Sequence, residues 1–301
     1  MAAFTFMDAD GSHPINSMRM ITLVIVLSAL VGPNASLARE TVQWGALDFP
    51  PFQVRDGEYQ GSGSFDGLME FLIEQMPEYD HNVLTMTFAR REEQIRQGLP
   101  LCTPGLFRTP ERREYLTFSL PALIHLDNRL IYLSSKASRL NGTDPVNLEA
   151  VLKRKDLVGG FISQRSFAPN IDPLIRQYAN SKNVVLRPLK SSQVFEMLTS
   201  GKIDYTILFP HEATYLARKF SGSPDIVVRR IAGTPPYIFT HVACTKGPLG
   251  DILIARIDGI LRVKRESPAY RALSERWYGE GDKALIRRYY PGLLVPEASK
   301  P

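Results

Sequence analysis

The sequence predicts an α/β protein folded as two lobes. Strand-like runs alternate with helix-like runs, the order that builds a mostly parallel sheet covered by helices. That order is run twice along the chain, although no sequence repeat is visible. A late strand, Tyr237–Thr245, follows both series.

Thr41–Leu47 (TVQWGAL) reads as the first strand. Asp48-Phe49-Pro50-Pro51-Phe52 ends it, because paired prolines cannot continue a ladder. Glu58–Gly63 is a turn region, and Asp66 can cap a helix reaching about Met76, with Leu68, Leu72 and Met76 on one face. Val83–Ala89 is the second strand. Arg91–Gln97 is a short polar helix stopped by Gly98, and Leu99–Thr103 is the third strand, ended by Pro104-Gly105. Leu130–Leu133 opens the second series. It continues with a helix at Asn147–Leu152, a strand at Leu157–Ile162, a helix opened by Ser166 and a strand at Val184–Arg187. A helix at Ser192–Ser200, a strand at Ile203–Leu208 and a helix at Glu212–Phe220 complete it. Helical segments near Leu249–Lys264, Pro268–Tyr278 and Asp282–Tyr289 close the chain. Two extended crossings, near 118–130 and 231–237, are expected to join the lobes.

Composition narrows the function. A chain of 301 residues, 44% hydrophobic, is long enough for one large or two ordinary cores and too apolar to be disordered. The net charge of +5 is mild, and Lys and Arg are scattered, so nucleic acid is not the expected partner. Two cysteines cannot build a disulfide-dense scaffold or a four-thiolate zinc site. The five histidines show no ligand spacing, and His211-Glu212 lacks the second histidine of a zinc helix. Gly61-Ser-Gly63-Ser-Phe-Asp-Gly67 is one residue too long for a dinucleotide loop and follows a turn rather than a strand. There is no GxSxG and no phosphate loop. No catalytic residue, metal or cofactor is therefore expected. Asn141-Gly-Thr143 has glycosylation spacing.

The first 38 residues read separately from the rest. Arg19 precedes the eleven-residue apolar run Ile21–Val31, and Ser36-Leu37-Ala38 supplies the small-x-small end of a secretory signal. Cleavage is expected between Ala38 and Arg39. The alternatives are a membrane anchor or a buried helix, but the run falls short of the roughly 20 apolar residues that span a bilayer. Residues 1–17 are polar, as if the start were placed too early; Met18 or Met20 would open an ordinary signal.

Further features fall in a telling order. Phe49-Pro50-Pro51-Phe52 follows the first strand; Thr109-Pro110-Glu111-Arg112 precedes Phe118-Ser119-Leu120-Pro121; then come Gly201-Lys202-Ile203-Asp204 and Ser274-Glu275-Arg276-Trp277-Tyr278-Gly279. With the export signal, this order resembles the extracellular solute-binding proteins of family 3, the periplasmic receptors of amino-acid ABC importers. The closer likeness is to a branch with a cysteine in the third strand, as in Cys102-Thr103-Pro104-Gly105, and another in the late strand, as in Val242-Ala243-Cys244-Thr245-Lys246.

The resemblance implies a type II periplasmic-binding-protein-like fold. Residues 39–128 with 236–301 would form the first lobe, 129–235 the second, and a small-molecule ligand would lie between them. It implies a periplasmic, monomeric, non-enzymatic protein whose membrane partner is an ABC permease. By the family pattern, Arg112, three residues after Thr109, holds the ligand's carboxylate; otherwise it is a surface arginine. Ser166 would offer a hydroxyl at a helix start, or act as an ordinary cap. Phe49 would cover the ligand, or simply pack in the core. The family's acidic residue for an ammonium group is replaced by Phe209, with Glu212 three residues on, so an organic acid is as good a candidate as an amino acid. Arg108 and Arg165 would add positive field or face solvent. Cyclohexadienyl dehydratases resemble the same family, so an enzyme using Glu212 or His211 as proton donor is the alternative, and an orphan receptor or sensor is a third. The two-lobe pattern also returns the late strand beside the third, which would let Cys102 and Cys244 form a disulfide in an oxidising compartment; two buried free thiols are the other outcome.

Overall fold

Val42, Trp44 and Ala46 alternate along the first strand and are fully buried, and the strands that pair on either side of it organise the first sheet. The computed structural model describes residues 39–295 apart from 141, 143 and 164. The expected signal 1–38 with its cleavage point and alternative starts, and Asn141 and Thr143 of the glycosylation motif, lie outside the described residues.

In chain order the elements are β1 (Thr41–Leu47), α1 (Ser64–Glu74), β2 (Asp80–Met86), α2 (Phe88–Arg96), β3 (Cys102–Leu106), β4 (Leu116–Leu126) and β5 (Arg129–Leu133). Then follow α3 (Ala137–Leu140), α4 (Leu148–Leu152), β6 (Gly159–Ile162), α5 (Asp172–Tyr178), β7 (Val184–Arg187), α6 (Ser191–Thr199), β8 (Tyr205–Leu208), α7 (Pro210–Lys219) and β9 (Ile226–Arg230). β10 (Tyr237–Thr245), α8 (Pro248–Lys264), α9 (Pro268–Glu275), α10 (Glu280–Tyr289) and α11 (Pro291–Leu294) complete the chain. They build two five-stranded sheets, ordered β2-β1-β3-β10-β4 and β7-β6-β8-β5-β9, giving the two-lobed α/β fold. β1, β2 and β3 run parallel, as do β6, β7 and β8, and each sheet carries one reversed strand, β10 or β5.

Several expectations need correction. Pro104-Gly105 does not end the third strand but lies inside β3, and Leu116–Leu126, read in part as a crossing, is a strand containing Pro121. One irregularity accommodates both prolines. The register of β10 shifts around His241, which faces Leu106 of β3 on one side and Pro121 of β4 on the other. A bulge relaxes the demand for a ladder N–H that proline lacks. Gly105 is required there: its φ is +76°, and a Cβ would enter the Phe65 ring. The first crossing thus shrinks to Asp127 and Asn128, while the second spans residues 231–236.

The second strand is β2, three residues earlier than its hydrophobic pattern suggests. It pairs residue for residue with β1, from Thr41↔Asp80 to Leu47↔Met86, and its mostly exposed edge position hid its start. Helix α2 therefore begins at Phe88, capped by the Thr87 hydroxyl, which accepts from Arg90 N at 3.2 Å. Asp66 is not the cap of α1 but its third residue. Its carboxylate accepts from Gly63 N (3.1 Å) and Val54 N (2.8 Å) and pairs with Arg55, fixing the preceding loop. Ser166 does not open a helix, because α5 begins six residues later. Asp172 draws in the intervening turn instead, accepting from Ser166 Oγ, Phe167 N and Ala168 N.

Two main cores fill the lobes, and they exchange residues: Val54 packs with the second-sheet core and Phe209 with the first. Among the described residues no helix is long and apolar enough to cross a membrane. Cys102 and Cys244 face each other across β3 and β10 and form a disulfide closing a separation of 142 residues. A loop of that length stabilises by at most about 5 kcal/mol in the chain-entropy model. Unreduced, denatured protein is expected to show no reactive thiol, and reduction to lower its denaturant midpoint sharply. Two thiol equivalents without reductant would refute the bridge.

Candidate functional site

The carboxyl ends of parallel strands are where α/β sheets place ligands, because the chain turns away there and leaves a crevice. The segments after β1, β2 and β3 carry Phe49, Phe52, Phe88 and Phe107, with Arg91, Arg108 and Arg112 among their arginines. After β1, Phe49 and Gln53 exchange two backbone hydrogen bonds of 3.0 Å, and Gln53 Oε1 accepts from Leu47 N at 2.9 Å. This tight turn holds Phe49 half-buried, stacked on Phe52 at 4.8 Å and edge-on to Phe88 at 5.4 Å. After β2, Phe88 is 51% exposed and the Arg91 guanidinium lies 5.4 Å from the centre of its ring. After β3, Phe107 is 39% exposed. Thr109 Oγ1 accepts from Arg112 N (3.3 Å), and Arg112 Nη1 donates to the Phe107 carbonyl (3.0 Å).

The second sheet contributes a network that is already complete. Glu212, fully buried in the first turn of α7, is held through both oxygens by Arg165 at 2.8 and 2.7 Å. It also accepts from Ser191 Oγ at 2.5 Å and Phe209 N at 3.2 Å. Arg165 further reaches Asn128 Oδ1 at 3.3 Å, tying the network to the first crossing, and sits 5.0 Å from the Phe209 ring centre. A bidentate, charge-assisted pair of this kind leaves Glu212 little capacity for an outside ammonium.

Between the sheets lies an aromatic floor. His125 of β4 and His211 of α7, each 1% exposed, stack with ring centres 5.6 Å apart. Phe52 packs against His125, Phe209 and His211; Phe65 packs against His125, and Tyr278 against His211. His125 Nε2 meets Thr240 Oγ1 at 3.2 Å, whereas His125 Nδ1 and both His211 nitrogens have no partner. Burial holds His125 down to about 3, and holds His211 well below the usual imidazole value, with the His125 and Arg165 charges adding to the effect. Beside the floor, Trp277 meets Tyr59 and Tyr215 edge-on, each at 4.8 Å.

The structure thus brings Phe209 and Glu212 together with Arg165, and Phe49 with Phe88 above Arg91. No hydrogen bond or ion pair joins Arg112 to Ser166 or Glu212. Ser166 is exposed and bound to Asp172. Arg165 neither faces solvent nor stands as free positive field; it is the counter-ion of Glu212. Arg91 carries no local signal of burial: the sequence reads it as the first residue of a short polar helix, and its burial comes from the fold. The histidine pair had no local signal, since β4 and α7 meet only in the fold. Among the described residues no group of three or more His, Cys, Asp or Glu side chains could hold a metal.

The neutral histidines give stability a pH dependence. Their folded-state affinity for protons is lowered, so the unfolded chain binds more protons as pH falls below its imidazole value near 6.5, and stability falls with it. Each such histidine costs about 1.4 kcal/mol per pH unit in that range. The urea midpoint is expected to drop between pH 6.5 and 5, and to drop less in a His125→Phe, His211→Phe double variant. A flat wild-type profile would contradict this.

No known family model matches the chain, and no curated protein matches it. Solved structures do. The periplasmic VFT2 domain of BvgS from Bordetella pertussis is 18% identical, with a TM-score of 0.58 over 88% of this chain and 100% of that one. The "probable amino-acid ABC transporter extracellular-binding protein ytmK" of Bacillus subtilis is 18% identical, with a TM-score of 0.60 over 80% of this chain and 100% of that one. The ancestral amino acid-binding protein AncCDT-1, described as a precursor of cyclohexadienyl dehydratase, is 15% identical, with a TM-score of 0.58 over 86% and 99%. The chain therefore shares the two-lobed fold of periplasmic binding proteins.

Proposed function

We propose that this chain is an exported, non-enzymatic binding protein that takes a small organic anion with an aromatic or apolar body between its lobes and delivers it to an ABC importer. The carrying observation is the charge balance at the strand ends. Arg112 has no carboxylate partner among the described residues, because Glu111 and Glu92 both pair with Arg96, while the carboxylate across the cleft is spent on Arg165. The site therefore offers a guanidinium fork for an acid and aromatic rings for its body, while Glu212, the carboxylate nearest the place where an ammonium partner is expected, is spent on Arg165.

In this reading the first lobe comprises residues 39–128 and 236–301, the second 129–235, and the export signal lies within 1–38. Phe49, Phe88 and Phe107 flank the ligand, Thr109 orients Arg112, and Phe209 closes the opposite side. Closure brings Trp277 against Tyr215. The likeness to an ABC transporter binding protein supports delivery to an importer; the BvgS likeness fits the same capture step coupled to a sensor. A dehydratase would need a proton donor beside the anion, and Glu212 is held by Arg165, Ser191 and Phe209 N instead.

Titration of wild-type protein with aromatic carboxylates, read by thermal shift and by tryptophan fluorescence, is expected to show saturable binding. Arg112→Ala is expected to weaken it by about 30-fold, the effect of roughly 2 kcal/mol lost with a charged partner. Unchanged affinity would defeat the assignment, and turnover of prephenate would defeat the non-enzymatic reading.

A further inference from the structure

Arg91 is hard to explain as part of the scaffold. Its side chain is 5% exposed, yet its Nε has no acceptor. A buried guanidinium is ordinarily paired, because the cost of taking the charge out of water must be met by a counter-charge. No ion pair joins Arg91 to a carboxylate among the described residues: Glu92, the carboxylate whose charge reaches it, accepts from Tyr115 Oη at 2.7 Å and pairs with Arg96 at 3.3 Å, and Glu111 pairs with Arg96 at 2.8 Å. Arg96 bonds both Glu92 and Glu111, the chain neighbours of Arg91 and Arg112, which draws the two segments together and sets the Arg112 cation where it acts on Arg91. Burial first, and then the Arg112 charge, bring the Arg91 guanidinium down to about 10. The face of Phe88 lies beside its guanidinium group, and Phe49 packs edge-on against the same ring.

Building on the anion-binding reading above, we propose that Arg91 and Arg112 together form a two-arginine site whose ligand carries a doubly charged oxyanion. One carboxylate has two oxygens, and a single guanidinium fork satisfies both. A second fork beside the first needs further anionic oxygen, supplied by a second carboxylate or by a phosphoryl head. With both forks filled, the like-charge repulsion between Arg91 and Arg112 becomes attraction to a common ligand, and the orphaned Nε gains an acceptor.

Three probes built on one benzene ring separate the cases: benzoate, with one charge, phthalate, with two carboxylates, and phenyl phosphate, with a phosphoryl head. Near pH 8, wild-type protein is expected to bind one of the dianions at least tenfold more tightly than benzoate, and the better dianion identifies the head group. Arg91→Gln is expected to bring that ratio to within about twofold, whereas Arg112→Gln weakens all the probes that bind. Arg91→Met, which keeps the apolar stem and removes the unpaired charge, is expected to melt higher than wild type without ligand, an outcome a structural arginine would reverse. In the wild type itself, the Arg91 Nε–H resonance is expected to move on saturation with the preferred dianion. A tenfold preference that survives Arg91→Gln, or an unmoved resonance, overturns the two-arginine site while leaving anion binding at Arg112 intact. Absence of binding by all three probes, or indifference of every probe to Arg112→Gln, overturns the anion-binding reading and this site with it.

Discussion

Strand β10 sets the terms for the rest of the molecule. It enters the first sheet between β3 and β4, antiparallel to both, after the chain has built the whole second sheet. Two crossings between the lobes follow from that one insertion, outward through Asp127 and Asn128 and back through residues 231–236. The same strand bulges at His241, which lets Pro104 and Pro121 stay inside their ladders, and it carries Cys244 to Cys102. Phe49, Arg91 and Arg112 lie in the segments that follow the parallel strands β1, β2 and β3.

Charge around these segments is distributed by competition among arginines. Arg96 takes Glu92 and Glu111, and Arg165 takes both oxygens of Glu212. These pairs differ in consequence. The Arg96 pairs are exposed and contribute little to stability, but they share the carboxylates of Glu92 and Glu111, the chain neighbours of Arg91 and Arg112. The Arg165–Glu212 pair is buried, and removing one partner would leave an uncompensated charge in the interior. One surface arginine thus engages the carboxylates beside Arg91 and Arg112 in the chain, and one buried arginine engages the second lobe's carboxylate.

The sequence was most legible where local pattern and tertiary role agree. Thr41–Leu47, Val184–Arg187 and Tyr237–Thr245 are strands with the bounds that their residues suggest, since β-branched and aromatic side chains there favour the extended backbone that the sheet pairs. It was least legible where a distant partner overrides local chemistry. Pro104 and Pro121 look like strand ends, and only the bulge in β10, far along the chain, makes them tolerable. Asp66 looks like a helix cap, but its carboxylate also serves Val54 N across the loop. Around the strand ends, Thr109-x-x-Arg112 is a contiguous pattern that could be read, and its own bond, Arg112 N to Thr109 Oγ1, is local to it. The Arg165–Glu212 pair, the His125–His211 stack and Arg91 could not, because each depends on which residues the crossings and strand ends bring together.

The two kinds of contact between the lobes imply a division of labour. The floor is built from Phe52, Phe65, Phe209, Tyr278 and two neutral imidazoles, with Trp277 against Tyr215 beside it. Apolar and ring contacts scale with area and have weak directionality, so the surfaces can part and meet again without breaking a fixed set of hydrogen bonds. Directional bonds are concentrated within each side instead: Asp66 with Gly63 and Val54 in the loop after β1, and Glu212 with Arg165 and Ser191 beyond the carboxyl ends of β8, β6 and β7. Asn128 joins the crossing to the second side, since its amide donates to the Phe167 carbonyl at 2.6 Å and its oxygen accepts from Arg165. The Asp127–Asn128 crossing is thus bonded to the second side, while the two sides meet at the floor through ring contacts rather than a fixed set of hydrogen bonds.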